Sequence, residues 1–151
     1  MTIFELLKKD HEEAIKLFDQ LDELEGASGS ESKAQQLFSQ LSRELQIHME
    51  GEEKLFYPSL KDEEETHTMI LEAIEEHHVI KLLLREMSSM QQGEQWFAKL
   101  TVLRENVEHH VDEEEGELFD EARDILDESQ TSEMAKSMEE MKRSQMAAAG
   151  R

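Results

Sequence analysis

The sequence predicts an all-α protein, an up-down-up-down four-helix bundle. Three observations carry that expectation. The 151 residues contain one Pro and six Gly, so little in the chain interrupts helices. Aromatic residues make up only 5%, and the β-branched runs expected of strands are missing. Apolar residues recur at helical spacing along four long segments joined by short polar links, which is the pattern of a bundle. A chain of this length fits one domain with a substantial core.

The first segment covers about residues 2–25. Phe4, Leu7, Ala14, Ile15, Phe18 and Leu21 form its stripe, and Thr2 with Glu5 reads as a capping box. His11 sits in the gap of that stripe, one turn after Leu7 and one turn before Ile15. Gly26-Ala27-Ser28-Gly29-Ser30 reads as a flexible turn. The second segment starts near Ser30 or Ser32 and runs to about Tyr57. Its stripe is Leu37, Leu41 and Leu45, with Phe38, followed by His48, Glu52 and Leu55. Two polar residues thus take consecutive places on an apolar line. Pro58, lacking an N–H and restricting its predecessor, marks an end or a kink.

The third segment follows the acidic turn Asp62-Glu63-Glu64-Glu65, with Thr66 as its expected cap. Ile70, Ala73, Ile74, His77, Ile80, Leu84 and Met87 form the stripe, and Gly93 is expected to close it as a C-terminal cap. The fourth segment covers about residues 94–127. Leu100, Leu103, Val107, His110 or Val111, Glu114 and Leu118 form its stripe. Gly116 costs about 1 kcal/mol there relative to Ala; close approach of a neighbouring helix would account for it. The bundle is expected to occupy residues 1–128. Residues 129–151 should add a short amphipathic helix carrying Met134, Met138 and Met141, then a frayed tail.

Composition excludes several classes of function. The formal net charge of -21 opposes binding to nucleic acid or to an anionic membrane. With no Cys there are no thiolate metal sites, Fe–S clusters or disulfides. The N-terminus lacks the regions of a signal peptide, and no apolar run approaches a membrane span. A soluble, cytoplasmic setting is the expectation.

The chemistry is carried by a pattern that occurs twice. His48 is followed four residues later by Glu52, and His110 by Glu114, so on a helix each pair points to one side, one turn apart. His11 and His77 lie alone on the other two stripes. In an antiparallel bundle all four histidines come nearly level. From a first turn near Ser28, His11 is 17 residues back and His48 is 20 forward, a height difference of about 4.5 Å at 1.5 Å per residue. From a turn near Gly93, His77 is 16 back and His110 is 17 forward. The outline repeats: a lone His, then His-x-x-x-Glu-Glu, then an aromatic (Phe56-Tyr57, Phe119). A buried carboxylate without a partner costs several kcal/mol, and two close together repel. A cation between Glu52 and Glu114 removes both penalties. Imidazole and carboxylate without sulfur suit Fe, Mn or Zn. Glu53 and Glu115 read as solvated groups or as groups that orient a ligating His. His67, His78 and His109 read as surface residues; Tyr57, Trp96 and the methionines read as packing.

At these residues the chain resembles the hemerythrin-like family, the HHE cation-binding domains. The matching motifs are Asp10-His11-Glu12, His48-x-x-x-Glu52-Glu53 ending in Phe56-Tyr57-Pro58, Glu76-His77-His78, and His110-Val111-x-x-Glu114-Glu115-x-x-Leu118-Phe119. The resemblance implies a hemerythrin-like bundle holding two iron ions as an oxo- or hydroxo-bridged non-haem di-iron centre, with Mn or Zn fitting less well. It implies His11, His48, Glu52, His77, His110 and Glu114 as the metal-binding set, the carboxylates bridging. Dioxygen, another small diatomic molecule or peroxide is the implied ligand. One departure stands out: oxygen-carrying hemerythrins place two histidines four apart on the third helix, and the position four before His77 is Ala73. The expected function is binding or sensing of oxygen or iron. The alternative is an enzyme acting on peroxide, nitric oxide or ferrous iron, and a metal-free helical interaction protein is the third reading.

Overall fold

The four apolar stripes become four helical rods, two of them interrupted by a π-helical turn in their second half. In this computed structural model, which describes residues 1–149, α1 is Ile3–Asp22 and α2 is Glu31–Gly51. A π-helical turn, Glu52–Phe56, joins α2 to α3 (Pro58–Lys61). After α4 (His67–Ser88), α5 (Glu94–Glu113) runs through a second π-turn, Glu114–Leu118, into α6 (Phe119–Ile125). A fifth rod, α7 (Glu128–Ala149), follows. There is no strand among the described residues. Helix α1 packs on α2 and α4 on α5, while contacts of α1 with α5 and of α2 with α4 close the ring.

The core is divided. One apolar cluster, including Phe18, Leu21, Phe38, Leu41, Leu84 and Trp96, fills the end near the first and third turns. A second, including Ile3, Phe4, Phe56, Leu60, Ile70 and Phe119, fills the other end. Each such side chain stabilises the fold by roughly 1.5–3 kcal/mol on full burial. Between the clusters lies a buried polar layer: His11, His48, Glu52, His77, His110 and Glu114. The sequence places polar residues on apolar stripes here, and the fold buries them rather than turning them to water.

Local signals were met unevenly. Thr2 caps α1, its hydroxyl accepting from the Glu5 N–H at 3.3 Å. Gly26 and Gly29 take φ of +76° and +73°, which L side chains resist, in the expected first turn. Thr66 does not cap α4 with its side chain; its hydroxyl donates to the Leu60 carbonyl instead. Gly93 does not close α4, which ends at Ser88; its extended backbone leads into α5. Pro58 does not end the second rod. It occupies the first position of α3, where its missing N–H costs least.

Gly116 does not serve a close approach: a Cβ there would meet nothing within 4 Å. The crowded glycine is Gly51, where a Cβ would lie 2.8 Å from Met138 Cε and 3.2 Å from Met141 Cε. Those methionines belong to α7, which lies across α1, α2 and the first π-turn. At 22 residues α7 is as long as the bundle helices rather than short. It buries Ala135 and Met138 as an amphipathic helix should. Ala147–Ala149 continue it, and Gly150 and Arg151 of the expected frayed tail lie outside the described residues. Among the described residues, no helix is long and apolar enough to cross a membrane.

Candidate metal centre

All six residues marked in the sequence meet in the polar layer. His48 and His110 close the last turns of α2 and α5, and Glu52 and Glu114 open the π-turns one helical turn later. His48 Nε2 thus lies 3.2 Å from Glu52 Oε1, and His110 Nε2 lies 3.3 Å from Glu114 Oε2. From α1, His11 brings Nε2 to 3.3 Å from Glu114 Oε1. From α4, His77 brings Nε2 to 3.0 Å from Glu52 Oε1 and 3.1 Å from His110 Nε2. Each of these four histidines therefore turns Nε2 toward the two central carboxylates. The donors form two groups, His11/His48/Glu52/Glu114 and Glu52/His77/His110, each with one donor atom per residue within 4.8 Å of the others. Glu52 belongs to both, as a bridging carboxylate would.

The opposite ring nitrogens are each held by a carboxylate. His11 Nδ1 pairs with Glu115 at 2.6 Å, His48 Nδ1 with Asp10 at 2.7 Å, His77 Nδ1 with Glu53 at 2.8 Å and His110 Nδ1 with Glu76 at 2.7 Å. In a neutral ring, a carboxylate accepting from Nδ1–H fixes the imidazole and leaves the Nε2 lone pair facing inward, the arrangement found behind metal-ligating histidines. The arrangement has pseudo-twofold symmetry. The acid before each lone His (Asp10, Glu76) serves the His of its own half's His-x-x-x-Glu pair. The acid after each central Glu (Glu53, Glu115) serves the lone His of the other half. The expectation that Glu53 and Glu115 orient histidines agrees with this geometry. The parts played by Asp10 and Glu76 were missed, although the acid-His pairs Asp10-His11 and Glu76-His77 were visible.

Among the described residues, four buried polar atoms have no hydrogen-bond partner: His11 Nε2, His48 Nε2, Glu52 Oε2 and Glu114 Oε1. Some stand close to a partner of opposite type, as His11 Nε2 does to Glu114 Oε1, but off hydrogen-bond alignment. Buried polar groups are ordinarily satisfied, and here the orphans aim at a common centre, so the donor set fits cations.

Proton positions reflect the same crowding. Burial pushes the His48 imidazole down, but the Glu52 and Asp10 carboxylates outweigh it and hold it at about 10. Burial likewise disfavours charge on His11 and His110, yet their carboxylate neighbours raise both. Burial works against the Glu52 carboxylate, but His48 and its other partners hold it well below the usual range. Without a cation, these shifts favour protonated imidazoles beside an ionised Glu52 carboxylate.

Comparison with known proteins agrees with this donor set. The hemerythrin HHE cation binding domain matches residues 2–122. The chain belongs to that family. A DNA nickase of Nostoc sp. is 29% identical over 139 residues, which is 89% of this chain and 37% of that protein, so the chain spans little more than a third of its relative. The crystal structure of a hemerythrin HHE cation binding domain-containing protein from Mycobacterium kansasii shares the fold, with a TM-score of 0.83 at 24% identity over 99% of this chain and 90% of that one. Helix α7 begins at Glu128, beyond the matched residues.

Within this HHE domain one residue of the polar layer departs from its sequence reading. Tyr57 does not merely pack. It is 1% exposed, its ring stacks on His77 with centroids 5.5 Å apart, and its hydroxyl donates to Glu114 Oε2 at 2.6 Å. The same oxygen lies 3.3 Å from Glu52 Oε1 and 3.3 Å from His77 Nε2. Burial, with Glu114 and Glu52 beside it, raises the phenol well above its ordinary value, so it is a neutral donor. The π-turn brings it there. Tyr57 N–H bonds the Glu52 carbonyl five residues back at 2.8 Å, which returns residue 57 to the face of Glu52. Phe119 holds the equivalent sequence position after Glu114, but it has no hydroxyl and packs on Phe4 and Phe56 instead. An α-helical reading of spacing could not show this, because it carries residue i+5 off the face. His67, His78 and His109 are exposed, as expected, and Trp96 packs on Phe38. His109 joins Glu76 and Glu113 in a third, surface group.

Proposed function

We propose that this HHE domain is a non-haem di-iron protein. His11, His48, His77 and His110 would hold two iron ions, with Glu52 and Glu114 bridging, to bind or sense dioxygen or another small diatomic molecule or peroxide. The observation that carries the reading is the convergence of four Nε2 atoms on two buried carboxylates, each Nδ1 held from behind by its own acid. Imidazole and carboxylate donors without sulfur suit iron. A closed tetrahedral set, the usual choice of zinc, would leave part of this donor set unused. Bound iron supplies reversible redox and ligand-binding chemistry. The chain's own residues orient the imidazoles, exclude bulk water and take up protons when the cations leave.

A second reading, an enzyme acting on peroxide, nitric oxide or ferrous iron, is favoured by one observation. Tyr57 places a phenolic O–H among Glu52, Glu114 and His77, where it can supply a proton. A net charge of -21 opposes a phosphate backbone, which disfavours action on DNA like that named for the Nostoc relative. The test is anaerobic loading with ferrous iron, followed by oxygen. A reversible change in the visible spectrum supports binding. Sustained consumption of peroxide or nitric oxide with a reductant supports the enzyme. Failure to take up iron overturns both.

A further inference from the structure

Helix α7 reaches the polar layer through one side chain. The Lys142 ammonium is held by Asp10 Oδ1, and the other oxygen of that carboxylate accepts from His48 Nδ1 at 2.7 Å. Three groups on three rods therefore stand in line: Lys142 on α7, Asp10 on α1 and His48 on α2. The contact is sheltered, the Lys142 side chain being 23% exposed and that of Asp10 10%. An ion pair so placed is screened less than one in open water.

The acids behind the other three histidines are held differently. Lys81 reaches Glu53 at 3.2 Å, but those side chains are 41% and 28% exposed. Among the described residues, Glu115 and Glu76 pair with histidines and with no lysine or arginine. His48 is thus the one ligand whose supporting acid is pinned by a sheltered ammonium. A carboxylate orients an imidazole only as firmly as it is itself oriented. Without the ammonium, Asp10 Oδ1 keeps no partner in a largely buried place, which favours rotation of the carboxylate.

The seating of α7 does not depend on this contact alone. Met138 and Met141 press on Gly51, and Gln145 Nε2 donates to Glu50 at 2.8 Å. The rod also lies beyond the residues that match the family.

We propose that Lys142 is a positioning residue: by pinning Asp10 it keeps the His48 imidazole aimed at Glu52. Helix α7 thereby secures the cation of the His11/His48/Glu52/Glu114 group more than that of the Glu52/His77/His110 group. The consequence for metal rests on the di-iron reading; the brace on the ring does not.

Two measurements on the full chain test it. Lys142→Met removes the ammonium and keeps the apolar stem, and Lys142→Arg restores a cation. In nitrogen-15 NMR of the metal-free chain, the His48 Nδ1–H should exchange with water about tenfold faster or more in Lys142→Met. Lys142→Arg should return it to the parent rate, with His11, His77 and His110 unaffected throughout. In iron-loaded protein given to a chelator, Lys142→Met should lose one iron about tenfold faster or more and the other within about twofold of the parent rate. Gln145→Ala, which loosens α7 without touching Asp10, should leave both readings at parent values. Limited proteolysis within residues 128–149 checks that α7 stays seated. Should Lys142→Met unseat it, Lys142→Ser, too short to reach Asp10, is read in its place. Unchanged His48 exchange, equal acceleration of both irons, or an equal effect of Gln145→Ala overturns the proposal. A chain that takes up no iron defeats the di-iron reading, while the His48 exchange rate still decides the brace.

Discussion

Replacing Tyr57 with Phe removes one oxygen and nothing else. The ring, stacked at 5.5 Å on His77, stays in place. What is lost is a buried O–H donating to Glu114 Oε2 at 2.6 Å, with Glu52 Oε1 and His77 Nε2 each 3.3 Å away. A hydrogen bond to a charged group contributes about 1.5–3 kcal/mol. For a chain of this length each kcal/mol moves the melting temperature by about 2–4 °C, so metal-free Tyr57→Phe should melt about 3–12 °C below the parent. Calorimetry of chelator-treated protein is the assay. The iron-loaded forms should also differ in their visible spectra, because the phenol stands within the donor set. A metal-free melting temperature within about 1 °C of the parent, together with identical spectra, would refute the placement of that hydroxyl and leave Tyr57 as packing.

His77→Ala should remove at least half of the bound iron, read by elemental analysis, because it empties the Glu52/His77/His110 group of one donor; unchanged iron refutes the α4 ligand. Asp10→Asn and Glu76→Gln should each weaken metal affinity about 10–100-fold with helicity intact, measured by competition with a chelator. The pH dependence of the metal-free chain follows from His48, raised from 6.5 when unfolded to about 10 when folded. Its contribution to stability is full below about pH 6.5 and is lost as pH rises toward 10, so urea midpoints should fall across that window. Cation binding should tighten over the same range as protons are displaced. Gly51→Leu should dislodge α7, since even a Cβ there would lie 2.8 Å from Met138 Cε. Limited proteolysis should then cut faster within residues 128–149, and an unchanged cutting rate refutes the seating of α7 on Gly51.

The bundle and the six converging residues were legible because both rest on periodicity. Apolar spacing sets which side of each rod faces inward, and the equal residue counts on either side of each turn set the height of His11, His48, His77 and His110. Glu53 and Glu115 could be read as orienting groups from their place beside the central acids. Tyr57 could not be read, because its position depends on a π-turn that breaks the α-helical spacing. Asp10 and Glu76 act across to neighbouring rods, and spacing along one helix is silent about such contacts. Gly93 and Thr66 show the limits of local signals. Each stood near a helix end, yet the third turn and the Leu60 carbonyl decided what they do. The extent of α7 was hidden because its stripe of methionines is sparse and its inner surface is completed by Ala135 and Thr131.

The most direct test of the two-cation account is iron per chain, determined by elemental analysis of protein loaded anaerobically and freed of loosely held metal. The account predicts about two irons per chain, visible charge-transfer bands after oxidation, and a lower melting temperature once a chelator removes them. A chain that retains no iron, and whose melting temperature a chelator leaves unmoved, would contradict it.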